Sequence, residues 1–150
     1  MLCGCVCAVF AGAAGAEPGT RGVSVMSASD SSPGRLDART RTLHGQIGRR
    51  AATDTLHRSG IAARSGGGAR QLDVTVVGWR VASADGRADV TAEIRIVLCD
   101  GDGRMLSVVN GKATIRGHDS QLADLRRQVI AEGVGHLVAR LGPQIARADA

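Results

Sequence analysis

The chain has 150 residues, a net charge of +5 and two aromatic side chains, one Trp and one Phe. That length allows one domain and is too short for two comfortable cores. The lack of aromatics excludes base stacking on single-stranded nucleic acid, and with three of four cysteines in the first seven residues, internal disulfides do not hold the remaining chain.

Met1 to Ala16 carries no charge, is nearly unbroken in apolar and cysteine residues from Leu2 to Phe10, and ends Ala14-Gly15-Ala16 before Glu17-Pro18. A signal peptidase accepts small side chains three and one residues before its cut. Ala14 and Ala16 therefore mark residues 1–16 as a signal peptide and Glu17 as the first residue of a periplasmic or secreted protein. The charged n-region is missing and the apolar core is short, which leaves an Ala/Gly-rich tail on a cytoplasmic protein as the competing reading. Leu2-Cys3-Gly4-Cys5 leaves no hydrophobic core ahead of a lipidated cysteine. Glu17-Pro18 also stops the run short of the about 20 residues a membrane span needs. Once Cys3, Cys5 and Cys7 leave with the leader, Cys99 stands without a nearby His or Cys and reads as a small packed residue.

Residues 17–35 read as a linker or a short first strand, with a β-like run at Val23-Ser24-Val25-Met26 and a Ser/Gly/Pro-rich stretch from Ser27 to Gly34. From about Leu36 to His57 an amphipathic helix is predicted, with Leu36, Leu43, Ile47 and Ala51 on its apolar side. Gly45 and Gly48 weaken it by up to about 1 kcal/mol each relative to Ala, so a frayed or kinked element is expected. Arg39, Arg41, Arg49 and Arg50 project from the other sides. Between Arg35 and Arg70 eight arginines face two aspartates, a surplus of six positive charges. Those four arginines are the candidate face for an anionic partner such as lipid head groups, lipopolysaccharide or nucleic acid. Against this, eighteen arginines to one lysine looks compositional, and a solvated basic face carries the same signature.

Ser65-Gly66-Gly67-Gly68 is read as a flexible connector, since neither Gly-Lys-Ser/Thr nor a helix start follows it as a phosphate loop requires. Strands come next. Ala88, Val90, Ala92, Ile94, Ile96 and Leu98 alternate with polar residues, so one face lies on a core and the other in water. In the preceding strand Leu72-Val74-Val76 and Val77-Trp79-Val81 have opposite parity, which a β-bulge near Gly78 would reconcile. Asp85-Gly86 predicts a tight hairpin. Asp100-Gly101-Asp102-Gly103 predicts a second turn into Met105 to Arg116, completing a three-stranded antiparallel meander. That turn resembles the start of a calcium loop, but Arg104 stands where a third oxygen ligand belongs and no Glu closes the loop.

After Gly117, Asp119 or Ser120 can cap a helix carrying Leu122, Leu125, Val129, Gly133, His136, Leu137 and Leu141 on one stripe, closed by Gly142-Pro143. A glycine on that stripe lets the helix sit close to a sheet. The expected fold is an α+β two-layer sandwich over residues 36–142, the meander packed on two helices with room for one N-terminal strand, followed by a tail at 143–150.

The order strand, helix, three-stranded meander, helix over Val23 to Leu141 resembles small periplasmic domains. These are found in the lipopolysaccharide-assembly lipoprotein, the Tol translocation protein and the activator lipoproteins of penicillin-binding proteins. The stretch from Val90 to Ser107 is similar to uncharacterised exported bacterial proteins. The resemblance rests on element order and carries over no functional residue.

His44, His57, His118 and His136 share no metal-like spacing, and no Gly-x-Ser-x-Gly elbow is present, so no metal, cofactor or catalytic residue is assigned. The sequence therefore predicts a non-catalytic exported interaction or assembly domain of the cell envelope. An envelope protein, anionic lipid or lipopolysaccharide is the expected partner, with nucleic acid disfavoured. The alternatives are a cytoplasmic, basic nucleic-acid-associated protein and a small enzyme of unassigned class.

Overall fold

The computed structural model describes residues 22–63 and 70–148. The leader with Ala14 and Ala16, and the Ser65–Gly68 connector, lie outside the described residues. Strand β1 (Val23–Asp30) leads to helix α1 (Ala38–Arg58), then to β2 (Arg70–Ala84), β3 (Arg87–Cys99) and β4 (Met105–His118), and a 3-10 turn at Asp119–Gln121 opens into helix α2 (Leu122–Ala148). The sheet order is β1-β2-β3-β4, with β1 parallel to β2 and the other pairs antiparallel. Both helices cover one face, which makes the two-layer α+β sandwich.

The meander follows the sequence closely. Leu72, Val74 and Val76 on β2, and Val90, Ala92, Ile94, Ile96 and Leu98 on β3, are buried against Val129, Ile130, Val134 and Val138 of α2 and Ala52 and Leu56 of α1. The register shifts between Val76 and Gly78, a bulge that turns Trp79 onto the same face as Val74 and Val76. Asp85 and Gly86 take φ of 53° and 73°, the left-handed pair that a two-residue hairpin turn demands. In the second turn Asp100 Oδ1 accepts the N–H groups of Asp102 (2.9 Å) and Arg104 (2.8 Å), so this carboxylate braces its own loop.

Three expectations are corrected. The stretch from Ser27 to Asp30 is strand rather than linker: it pairs with Asp73 to Val76 of β2, so the domain begins at Val23 and not at residue 36. Ser, Ala and Asp have weak strand propensity, but parallel pairing beside a buried strand overrides it. Helix α2 does not close at Gly142-Pro143 but runs to Ala148. Ile145 is buried in the core, and Arg70 Nη1 donates to its carbonyl at 3.2 Å, so packing beyond the proline outweighs its lost N–H, and residues 143–148 belong to the domain. His118, whose side chain makes no capping hydrogen bond, occupies the cap position of the 3-10 turn where Asp119 or Ser120 was expected.

Helix α1 is also rotated from the expected face. Leu36 precedes the helix, whose N-cap is Asp37, accepting from Thr40 N at 2.8 Å. Leu43 is 38% exposed while His44 is 2% exposed, and the buried stripe runs His44, Gly48, Ala52, Thr55 and Leu56. Glycine explains the rotation. A Cβ on Gly45 would lie 2.6 Å from the Ala28 carbonyl oxygen, so the helix backbone rests directly on β1, and the residue read as a weakness is the contact point. Gly45→Ala is accordingly expected to lower stability by about 1–3 kcal/mol, because the strand backbone cannot yield as a side chain does. An alanine at the exposed Gln46 should leave the melting temperature near wild type.

Candidate functional site

The densest polar chemistry lies where β1 ends, under α1 and beside the bulged part of β2. Strand β1 delivers Asp30, the first turns of α1 deliver Arg41 and His44, and the β2 bulge turns Trp79 inward. The Asp30 carboxylate is buried and accepts from His44 Nδ1 at 2.6 Å, Trp79 Nε1 at 3.2 Å, Ser32 N at 3.0 Å and Ser32 Oγ. Arg41 Nη1 stands 3.5 Å away, and its guanidinium donates to the carbonyls of Asp30 (3.2 Å), Ser32 (2.8 Å) and Gly34 (3.0 Å). The His44 and Trp79 rings pack 5.3 Å apart, and the Arg126 guanidinium of α2 lies 5.6 Å from the Trp79 ring centroid.

Burial alone would raise the Asp30 pKa. The hydrogen bonds from His44, Ser32 and Trp79 outweigh it, and the carboxyl is held below its ordinary value. A carboxylate, a histidine and a serine together invite comparison with a hydrolytic triad, but the wiring differs. The Ser32 hydroxyl donates to the carboxylate rather than to the imidazole, and the imidazole lies beneath α1. A triad needs the serine on the ring nitrogen opposite the carboxylate, with its oxygen facing substrate. This arrangement binds three elements together instead.

The sequence contained a usable signal for this node. His44 lies four residues before Gly48 and eight before Ala52, on the stripe the helix buries, and Asp30-x-Ser32 is an acid followed two residues on by a hydroxyl, a local turn pattern. The missing information was the pairing of β1 with β2, which sets Asp30 opposite Val76, near Trp79.

The four arginines proposed for an anionic partner do not share one surface role. Arg41 turns inward onto the carbonyls of the β1–α1 connection, and Arg49 donates to the Val25 (3.2 Å) and Met26 (2.9 Å) carbonyls on the outer side of β1. Arg39 is exposed, and Arg50 is exposed with Asp54 4.0 Å away. Arg41→Ala is expected to cost about 2–3 kcal/mol in denaturant unfolding, since several carbonyls lose a charged donor, whereas Arg39→Ala should stay within about 0.5 kcal/mol of wild type.

A shallow groove of about 390 Å³ lies between β4 and α2. Gly111, Ala113 and Gly133 give it a low floor, with Glu132, His136 and Arg140 at its rim. His136, placed on the buried stripe by the sequence, is exposed. Lys112 reaches out of this groove to Glu93 at 2.7 Å. Cys99 is a half-buried free thiol. Among the described residues no cluster of three His, Cys, Asp or Glu side chains is placed to hold a metal ion, and no helix is long and apolar enough to cross a membrane.

The fold is that of structurally characterised bacterial lipoproteins. A minor lipoprotein from Acinetobacter baumannii superposes with a TM-score of 0.58 at 13% identity, covering 83% of this chain and 92% of the other. A Caulobacter crescentus protein described as a lipoprotein gives 0.56 at 17% identity, over 85% and 93% of the two chains. A Xanthomonas campestris protein of the DUF330 family gives 0.54 at 15% identity, over 85% and 83%. No protein-family model matches the sequence, and no curated protein matches it. At these identities the likeness establishes the fold.

Proposed function

We propose that this protein is an exported, non-catalytic interaction or assembly domain of the bacterial cell envelope. The observation that carries the reading is the shared two-layer fold with the lipoproteins of Acinetobacter and Caulobacter, which span nearly their whole length with this chain. The uncharged segment from Met1 to Ala16 supports it independently, because it ends in the small residues a signal peptidase accepts. The Asp30 node supports the non-catalytic part: its one histidine is shut beneath a helix, and its serine hydroxyl is committed to the carboxylate.

The exposed arginines of the basic segment, Arg39, Arg49 and Arg50 among them, are open to an anionic envelope component such as lipid or lipopolysaccharide. A fusion of the full chain to a leaderless β-lactamase tests export directly. Ampicillin resistance is expected, with loss of resistance when Val6 and Val9 are replaced by Arg, because charge in the apolar core of the leader blocks its insertion. Resistance that survives those changes, or no resistance at all, would count against the reading.

A further inference from the structure

The two edges of the sheet are finished differently. On the outer side of β1, Val23 N–H donates to the Ile61 carbonyl and the Val23 carbonyl accepts from Ala63 N–H, both at 2.8 Å. Farther along, Arg49 donates to the Val25 and Met26 carbonyls, and the register breaks between Val25 and Ser27. That edge is closed to a further strand. On β4 the phase of the ladder follows from Asp119 N–H, which donates to the Gly86 carbonyl at 3.1 Å and so marks a bonded pair. Counting back in twos along the β3–β4 register, the odd-numbered residues from Gly117 to Ser107 bond β3. Val108, Asn110, Lys112 and Thr114 therefore turn their N–H and C=O groups outward, where no strand or side chain among the described residues meets them.

Helix α2 flanks this open edge. A Cβ on Gly111 would lie 2.5 Å from Leu137, and one on Gly133 would lie 2.9 Å from Ala113. The helix thus runs antiparallel to β4, with His136 level with Gly111 and Lys112. Glu132, His136 and Arg140 follow at four-residue steps along the side of α2 that lines the groove beside β4. All three are exposed, and neither Glu132 nor Arg140 has an ion-pair partner among the described residues. About 12 Å of helix rise separates their opposite charges, too far for them to pair with each other.

We propose that β4 pairs with β4 of a second copy, antiparallel about a two-fold axis at Gly111. Val108 then lies opposite Thr114 and Asn110 opposite Lys112, all with their bonding groups turned to the other strand, and about eight hydrogen bonds form. An axis one residue on would set Lys112 against itself, which like charges disfavour. With the axis at Gly111, that lysine keeps Glu93 of its own chain 2.7 Å away. The helix layer fits the same axis. Because α2 packs over both β3 and β4, one further strand spacing brings the two α2 helices to about 10 Å, an ordinary packing distance. Running antiparallel with His136 at the axis, they set Glu132 of each copy against Arg140 of the other. The dimer is independent of the envelope reading above.

Sedimentation of the purified full chain across micromolar concentrations, with amide exchange followed residue by residue by NMR, decides it. A dimer is expected. Glu132→Arg puts like charges together twice across the axis and should weaken it by about tenfold or more. Glu132→Arg/Arg140→Glu restores opposite charges and should return the affinity to within about threefold of wild type. In wild type the amides of Val108, Asn110, Lys112 and Thr114 should exchange about tenfold more slowly than in Glu132→Arg, with a smaller change at Val109, Gly111 and Ala113, already bonded to β3. A monomer at every concentration overturns the proposal, including one whose outward amides are protected only by an added extended peptide. Association that leaves those four amides exchanging as fast as in Glu132→Arg also overturns it, since another surface then joins the copies. A dimer indifferent to Glu132→Arg, or not recovered by the charge exchange, overturns the axis at Gly111.

Discussion

Ile94→Asp is expected to unfold the domain, while Arg95→Asp leaves it folded. Ile94 lies in the middle of β3 on the helix-facing side, 1% exposed, where a Cβ on Gly133 of α2 would come within 2.6 Å of its Cδ1. Its side chain is packed within the apolar core formed by β2, β3 and the two helices. An unpaired charge in that position costs several kcal/mol, against a total stability of about 5–15 kcal/mol for a domain of this size. One residue on, Arg95 faces away from the helices and loses only the hydrogen bond from its Nε to Asn110 Oδ1 at 3.0 Å. An exposed polar exchange of that kind changes stability by about 1 kcal/mol or less. Thermal melts of the two variants separate them, and equal melting temperatures would mean that the assignment of sheet faces is wrong.

Asp30→Ala is the second large effect. Removing the carboxylate leaves His44 Nδ1, Trp79 Nε1 and the Ser32 hydroxyl without their shared acceptor, all under α1 or at its edge. Breaking a buried charged network on one side typically costs about 3–5 kcal/mol, because the surviving partners stay desolvated. The loss should exceed that of Asp37→Ala, which removes the exposed N-cap of the same helix.

The same carboxylate gives the protein an acid limit. Its pKa is lower in the folded chain than in the unfolded one, so the folded state binds the proton less tightly. Its contribution is fully present above the ordinary carboxylate value of 3.8 and disappears as pH falls from there through the lower folded value. Wild type is expected to lose stability over that window, with Asp30→Ala showing a shallower loss in denaturant titrations at pH 5, 4 and 3.

The parts of the fold legible in the sequence were those written in a local period. Alternation from Ala88 to Leu98 gave the central strand and its faces, the opposite parity around Gly78 gave the bulge, and Asp85-Gly86 gave the hairpin. Long-range pairing left weaker marks. Ser27 to Asp30 has the composition of a linker and becomes strand because β2 lies beside it, and Gly45 has low helix propensity but is required where α1 touches the Ala28 carbonyl. Pro143 looks like a stop, yet Ile145 beyond it has a core to enter. The polar node was hidden for the same reason. Asp30, His44 and Trp79 are separated by up to 49 residues, and only the parallel pairing of β1 with β2 brings them together. Net charge was equally silent on geometry: it does not reveal that Arg41 and the exposed Arg49 also donate to backbone carbonyls of the β1–α1 connection and of β1.

Export is the claim on which the functional account turns, and the mass of the protein recovered from its own host after fractionation tests it most directly. The account predicts a chain in the periplasm or the medium that begins at Glu17, its mass reduced by residues 1–16. An intact chain still carrying Met1 and confined to the cytoplasm would contradict it.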